Sequence, residues 1–322
     1  MGLIDFCFIF KSCFDVIYSS LFMKNYIGFC IICKKSSERN ISSLIFNVLF
    51  IVISLIFTSC MKMRTSETKI LKDFKGQLAQ PVFGISSNRE HPLHYMKIGN
   101  SPQNLLVFIH GAPGSLDAFL SYMKDEALSN RATLITFDRE GYGYSGYGKA
   151  EPSIGKQAEG VKDLIMDNGN YDRIFLVGHS YGGPIACKLA MDFPDLPIER
   201  LILLAPALDP AHEKVFWFNK PMEWKPFKWM LPGSFKVANL EKIHHRSELE
   251  LMTNQWGSLR VPITVIHGKK DSLVPFENVA FLEEVYQGDW LEVISLENEN
   301  HFIPWTRYDL VKEFLMKYLP NP

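Results

Sequence analysis

The sequence predicts an α/β protein: a mostly parallel, eight-stranded sheet with helices on both faces. Three observations carry this. Short apolar runs alternate with helical patterns from about residue 80 to residue 320, the order that lays strands side by side in parallel. The inner runs, such as LLVFI at 105–109 and IFLVG at 174–178, are apolar throughout, as strands covered on both faces are. A chain of 322 residues with 47% hydrophobic content can bury a large core, which excludes disorder as the main state.

In chain order, strands are expected at 82–86, 94–98, 105–110, 133–137, 173–177, 201–204, 263–267 and 291–295. The first two are close enough to form a hairpin. Helices are expected at 115–128, 154–166, 181–192, 276–286 and 306–318. One stretch breaks the alternation. More than 50 residues separate Ala205 from Pro262, and they carry Phe216, Trp217, Phe218, Trp224, Phe227 and Trp229 before a helical pattern around 240–256. A connection that long has structure of its own, and often a function.

The first 60 residues are a different kind of object. The whole chain has 34 basic and 35 acidic residues, so no basic excess exists to attract a nucleic acid. Yet residues 1–62 hold six basic residues and three acidic ones, and five of the six cysteines precede Met61. From Asn40 to Met61 there is no charge, and the run ISSLIFNVLFIVISLIF at 41–57 follows Lys34, Lys35 and Arg39. That is the charged-then-apolar order of an export signal. The run ends Phe57-Thr58-Ser59-Cys60, which resembles a bacterial lipoprotein box with Cys60 as the lipid-carrying residue. Phe57 departs from the leucine preferred there. A plain membrane anchor is the alternative, since about 20 apolar residues can span a bilayer. Residues 1–39 make the distance from Met1 to Cys60 too long for a signal peptide of about 15–30 residues, which points to a true start downstream of Met1. The expected organisation is therefore an export or anchor segment at 1–60, a polar tether at 61–79 and a main domain at 80–322, interrupted at about 207–260.

The chemistry concentrates at Gly178-His179-Ser180-Tyr181-Gly182, a G-x-S-x-G that follows an apolar strand and opens a helix. A serine on so sharp a strand-to-helix turn exposes its oxygen, and the flanking glycines leave room for the turn. Around it stand His110-Gly111-Ala112-Pro113-Gly114, Asp138 to Ser145 (DREGYGYS), His267-Gly268-Lys269-Lys270-Asp271 and Asn300-His301-Phe302, each after an expected strand. Together these motifs resemble the α/β-hydrolases over about residues 80–320. The resemblance implies Ser180 as nucleophile, His301 as base and Asp271 as the acid that orients it, in that family's chain order. It implies the backbone N–H groups of Ala112 and Tyr181 as the oxyanion hole. Asp209, after the strand that precedes the insertion, is the rival to Asp271. The aromatic insertion resembles the family's lid, with Phe216, Trp217 and Phe218 placed to line an apolar pocket, to pack the lid onto the body or to face the membrane.

Serine in the nucleophile position argues against the dehalogenase and epoxide-hydrolase branches, which place aspartate there. The expected activity is hydrolysis of an ester, amide or related bond in a small molecule with an apolar part, through an acyl-enzyme. The HGAPG loop also resembles that of proline iminopeptidases. An aminopeptidase is thus the alternative, with Glu213, Glu223 and Glu241 as candidates to recognise a substrate amine. A catalytically silent binding module on the same fold is the other alternative. No cofactor or metal is expected. Gly141–Gly146 spells G-x-G-x-x-G, but polar residues, Gly148 and Pro152 follow it where a dinucleotide site needs a helix. No H-E-x-x-H occurs, His244 and His245 are adjacent, and Cys30-x-x-Cys33 has no second pair. The membrane enters as a partner through the N-terminal segment.

Overall fold

The computed structural model describes residues 63–87 and 92–320. Cys60 and the apolar run at 41–57 lie outside the described residues. The eight strands are β1 (Val82–Ile85), β2 (His94–Ile98), β3 (Asn104–Ile109), β4 (Thr133–Phe137), β5 (Arg173–His179), β6 (Ile198–Leu204), β7 (Ile263–Gly268) and β8 (Leu291–Leu296). They form one sheet in the order β1-β2-β4-β3-β5-β6-β7-β8. The β1–β2 and β2–β4 pairs are antiparallel, and every other pair is parallel. The hairpin expected of the first two strands is present, at the edge of the sheet.

Side-chain alternation explains why the inner strands read as unbroken apolar runs. On β3, Leu105, Val107 and Ile109 face one core, while Leu106 and Phe108 face the other. The first core is closed by α4 (Ile154–Asp167) and α5 (Gly182–Asp192), through Val161, Leu164, Ile185 and Leu189. The second is closed by Phe119, Tyr122 and α11 (Tyr308–Tyr318), through Val311 and Leu315. Both faces are therefore dry, and alternation between polar and apolar positions disappears.

Two local expectations need correction. The polar stretch 61–79 is not a free tether. It contains α1 (Glu67–Asp73), capped by Ser66, and the helix buries Ile70 while Phe74 just beyond it is also buried in the second core. Four residues apart, these two fall on one helical face, a signal hidden by the surrounding lysines. The single helix expected at 115–128 is a 3₁₀ turn at Leu116–Phe119 followed by α2 (Leu120–Met123) and α3 (Glu126–Ser129). Asp125 makes the break: its carboxylate accepts the Ala127 and Leu128 N–H groups as an N-cap. The helix expected at 306–318 is present as α11, and the short α10 (Ile303–Thr306) precedes it, separated by Arg307, which leaves helical geometry at φ −126°.

The insertion after β6 comprises α6 (Asn219–Met222), α7 (Lys225–Met230), the long α8 (Gly233–Met252) and a 3₁₀ turn at Thr253–Ser258. Its far end is sewn into the first core by Leu249, Met252 and Trp256. α9 (Glu277–Val285) then follows β7. Among the described residues no helix is long and apolar enough to cross a membrane.

The docking of α1 has an ionic tie. His94 Nε2 lies 2.8 Å from Glu67 and its Nδ1 3.0 Å from Asp138. Burial disfavours the imidazolium, but the bonds to Asp138 and Glu67 outweigh it, and the His94 pKa is raised. A raised folded-state value stabilises the protein fully below the unfolded histidine value of about 6.5, and the contribution fades as pH climbs through the folded value. The melting-temperature gap between wild type and His94→Gln should therefore be widest near pH 6 and shrink toward pH 9. Calorimetric melts across that range measure it.

Candidate active site

Ser180 stands at the junction of β5 and α5, with φ at +54°. For a residue with a side chain that conformation is strained and persists only where its surroundings hold it. Here three backbone bonds do so: Ser180 N–H to Leu204 O at 3.0 Å, and the Gly183 and Ala207 N–H groups to Ser180 O at 3.0 and 3.2 Å. The turn also needs its glycines. A Cβ on Gly178 would meet the Gly182 carbonyl oxygen at 2.5 Å, and one on Gly182 would strike the Ile109 carbonyl. The G-x-S-x-G spacing is thus a packing requirement of the elbow.

The loop after β3 presses against this elbow. A Cβ on Gly111 would sit 2.9 Å from Ser180 Cβ, so Ala112 follows directly beside the serine. Among the described residues no acceptor takes the N–H of Ala112 or of Tyr181. Both donors remain available to an outside oxygen, the requirement of an oxyanion site.

Asp271 follows β7 and His301 follows β8, on the same rim. His301 Nδ1 is 2.7 Å from Asp271 Oδ2. The other carboxylate oxygen accepts the Leu273 and Val274 N–H groups at 2.9 and 2.8 Å. His267 Nε2 stands 3.5 Å away and donates to Val274 O at 3.0 Å. Burial favours the neutral acid, yet the bonds from His267, His301 and the backbone prevail and hold Asp271 well below the usual carboxylate range. It stays ionised, so it fixes the Nδ1–H tautomer of His301 and leaves Nε2 as the acceptor.

His179, inside the G-x-S-x-G, had no assigned part in the sequence reading. Its Nε2–H donates to the His301 carbonyl at 3.1 Å, and its ring lies 4.9 Å from that of His301 and 5.2 Å, edge to face, from Trp305. It couples the serine loop to the histidine loop. Burial, with His301 adding to it, pushes its pKa down to about 3, so it is neutral over any working pH.

Asp209 is placed differently. Its carboxylate accepts the Ala211 N–H at 2.7 Å and lies 2.5 Å from His212 Nδ1, closing a turn at the start of the insertion. The three glutamates considered for an amine are all engaged. Glu223 binds Lys228 and Asn239 at 2.6 Å each. Glu213 is paired with Lys242 and lies 3.2 Å from His245 Nδ1. Glu241 is fully buried against Arg139 and Tyr142, at 2.6 Å each. Phe216 and Phe218 stack on each other at 5.3 Å, and Trp217 is mostly exposed.

The residue that sequence reasoning missed is Arg139. It is buried, and it donates from Nε to His110 O at 2.9 Å and from its second terminal nitrogen to Gly111 O at 3.1 Å. Its first terminal nitrogen binds Gln157 and Glu241, each at 2.6 Å. Glu241 belongs to α8, so one guanidinium joins the loop after β3, α4 and α8. His110 completes the loop, donating from Nδ1 to Gly111 O at 2.7 Å and accepting the Arg139 N–H at Nε2. The stretch Gly141–Lys149 is a series of turns with no helix. Its one signal was the DREGYGYS motif, which marked the position without revealing its partner.

A family model described as the alpha/beta hydrolase fold matches residues 104–231. Epoxide hydrolase 1 of Caenorhabditis elegans is 31% identical over 174 residues, 51% of this chain and 42% of that protein. Mitochondrial palmitoyl-protein thioesterase ABHD10 of Pongo abelii is 26% identical over 228 residues, 65% of this chain and 70% of that protein. The match therefore spans less than half the length of the nematode relative. Among solved structures, an esterase from Exiguobacterium antarcticum has a TM-score of 0.59 at 20% identity, covering 74% of this chain and 99% of its own. A bacterial membrane phospholipase A has a TM-score of 0.56 at 18% identity, covering 87% and 99%. At these identities the structural likeness establishes the fold.

The Arg139–Glu241 pair is accessible to mutation. Glu241→Ala strands a buried guanidinium, and breaking a buried pair from one side costs about 3–5 kcal/mol. Tyr142→Phe removes only one hydrogen bond to the same carboxylate and should cost about 1.5–3 kcal/mol. Urea unfolding midpoints of the two variants, compared with wild type, should follow that order.

Proposed function

The chain has the alpha/beta hydrolase fold, and on that premise we propose that it is a serine hydrolase acting on an ester, amide or related bond. The observation that carries the reading is the convergence on one rim of a strained Ser180, two unused N–H groups beside it, and a His301 held by an ionised Asp271 at 2.7 Å. The match to an epoxide hydrolase does not bring that reaction with it, because serine occupies the nucleophile position here.

In this reading the Ser180 hydroxyl attacks a substrate carbonyl while His301 Nε2 takes its proton. The imidazolium is stabilised by Asp271, which keeps its own charge. The oxyanion of the tetrahedral intermediate accepts the N–H groups of Ala112 and Tyr181. His301 then protonates the leaving group, and a water attacks the acyl-serine with the same histidine as base. Nothing favours the aminopeptidase reading, since Glu213, Glu223 and Glu241 already have partners. We also propose that Cys60 carries a lipid and anchors the protein at a membrane, on the strength of the apolar run and the FTSC box alone.

Covalent capture by a fluorophosphonate tests the nucleophile. Wild type should label and Ser180→Ala should not; a folded wild type that never labels is a binding module. A series of p-nitrophenyl esters of graded length, run beside aminoacyl arylamides, sorts the substrate class.

The acid is tested separately. Asp271→Asn should keep the fold and lower kcat by about 10⁴, the size of the same change in a serine protease triad, with KM little altered. Asp209→Asn should cost only a local hydrogen bond, about 1 kcal/mol of stability, and leave kcat near wild type. The reverse pattern would transfer the acid role to Asp209.

Cys60→Ala should release the chain from the detergent phase and change the size of its precursor. An unchanged membrane fraction and size would leave a plain anchor in place of the lipid.

A further inference from the structure

We infer that the outer surface of the lid, residues 214–230, is a docking surface for an anionic phospholipid bilayer, which delivers a lipid-borne substrate to the rim described above. The substrate clause rests on the serine hydrolase reading; the docking surface does not. Three observations support it.

The first is exposure. Trp229 is 83% exposed, Trp217 68%, Trp224 62% and Phe227 51%, all within thirteen residues. Water-facing aromatics at this density are uncommon, and tryptophan prefers the interface between headgroups and acyl chains. The second is charge. The same stretch carries Lys214, Lys220, Lys225 and Lys228 against Glu223 alone, in a chain whose net charge is −1. Lys228 is satisfied by Glu223 at 2.6 Å, while Lys220 and Lys225 are exposed. Lysines interleaved with tryptophans suit an anionic headgroup layer over acyl chains.

The third is position. The described chain begins at Met63, three residues after Cys60, a reach of at most about 10 Å. Arg64 is seated there, its guanidinium 3.7 Å from the centre of the Tyr144 ring and 5.8 Å from that of Tyr147. The Tyr147 ring in turn packs on Gly233, four residues beyond Trp229. The point where the chain leaves the N-terminal run and the aromatic surface of the lid are thus neighbours on one side of the domain. A bilayer entered by the lipid proposed on Cys60 meets the domain on the side that carries these aromatics.

Tryptophan emission reads this directly, because all six tryptophans follow residue 216. Trp290, 65% exposed at the start of β8, sits at the opposite end of the parallel strands and serves as the internal control. The full chain is reconstituted into nanodiscs, one chain per disc, of phosphatidylcholine with or without phosphatidylglycerol. Brominated acyl chains should quench the emission in the anionic discs, and acrylamide should quench it less there than in detergent. Trp290→Phe should keep both effects. Lys220→Gln/Lys225→Gln/Phe227→Ser retains every tryptophan and should lose most of the lipid quenching. Its two lost charges alone lower the docked-to-undocked ratio by on the order of tenfold or more.

Emission blind to brominated lipid and open to acrylamide overturns the proposal. So does shielding that appears only when two chains share a disc, which would make a second copy the occupant. Fluorophosphonate labelling of the same samples keeps the two readings apart. Labelling without lipid quenching defeats the docking surface alone, and quenching without labelling defeats the hydrolase reading alone.

Discussion

The buried ion pair between Arg139 and Glu241 is the constraint on which the rest of the site depends. Arg139 has no route to water, so every N–H of its guanidinium must find an acceptor inside the protein. Two of those acceptors are the carbonyls of His110 and Gly111, and holding them sets the path of the chain immediately before Ala112. A third is Glu241 on the lid helix. The position of the Ala112 N–H and the seating of α8 are therefore consequences of one charge that has to be neutralised in a dry interior. Pairs of this kind contribute little net stability compared with apolar packing. What this one supplies is geometry: a single guanidinium reaches the loop after β3, α4 and α8 at once.

The elbow at Ser180 shows the same economy from the side of strain. A positive φ at a residue with a side chain is unfavourable by itself. It is held by backbone bonds to β6 and to the loop beyond it, and by a helix that starts at the very next glycine. The neighbouring loops are registered to the elbow by two small contacts, Gly111 against the Ser180 Cβ and His179 against the His301 carbonyl. Because burial keeps His179 neutral, that second tie is insensitive to pH over the range in which a histidine base works. On the proposed mechanism, positioning and proton transfer thereby fall to different histidines.

The lid divides its residues by side. Inward, beside the apolar anchors Leu249, Met252 and Trp256 at its far end, it presents carboxylates, each already matched: Glu241 with Arg139, Glu213 with Lys242 and His245. Outward it presents tryptophans and lysines. A lid that only covered a pocket would gain from the opposite arrangement, with aromatics turned in and charges turned out. The distribution makes sense for a segment that is polar-locked to its own domain and apolar toward something beyond it.

The sequence by itself determined the eight strands, their order of appearance and the elbow. Those features rest on local patterns: continuous apolar runs for strands dry on both faces, and glycines two residues either side of a serine. It also put Ser180, Asp271 and His301 at the ends of strands. Tertiary structure decided the matters that depend on meeting a distant partner. Glu241 reads as a free lid carboxylate until Arg139, 102 residues earlier, is found against it. Stretch 61–79 reads as a tether until Ile70 and Phe74 are found in a core. The H-G-x-x-D context favours Asp271 over Asp209 in sequence, but only the fold shows that the first reaches His301 while the second closes its own turn on His212. Periodicity and spacing report which face of an element is apolar. They carry no information about which charge will face which, because a buried charge is defined by the partner that folding brings to it.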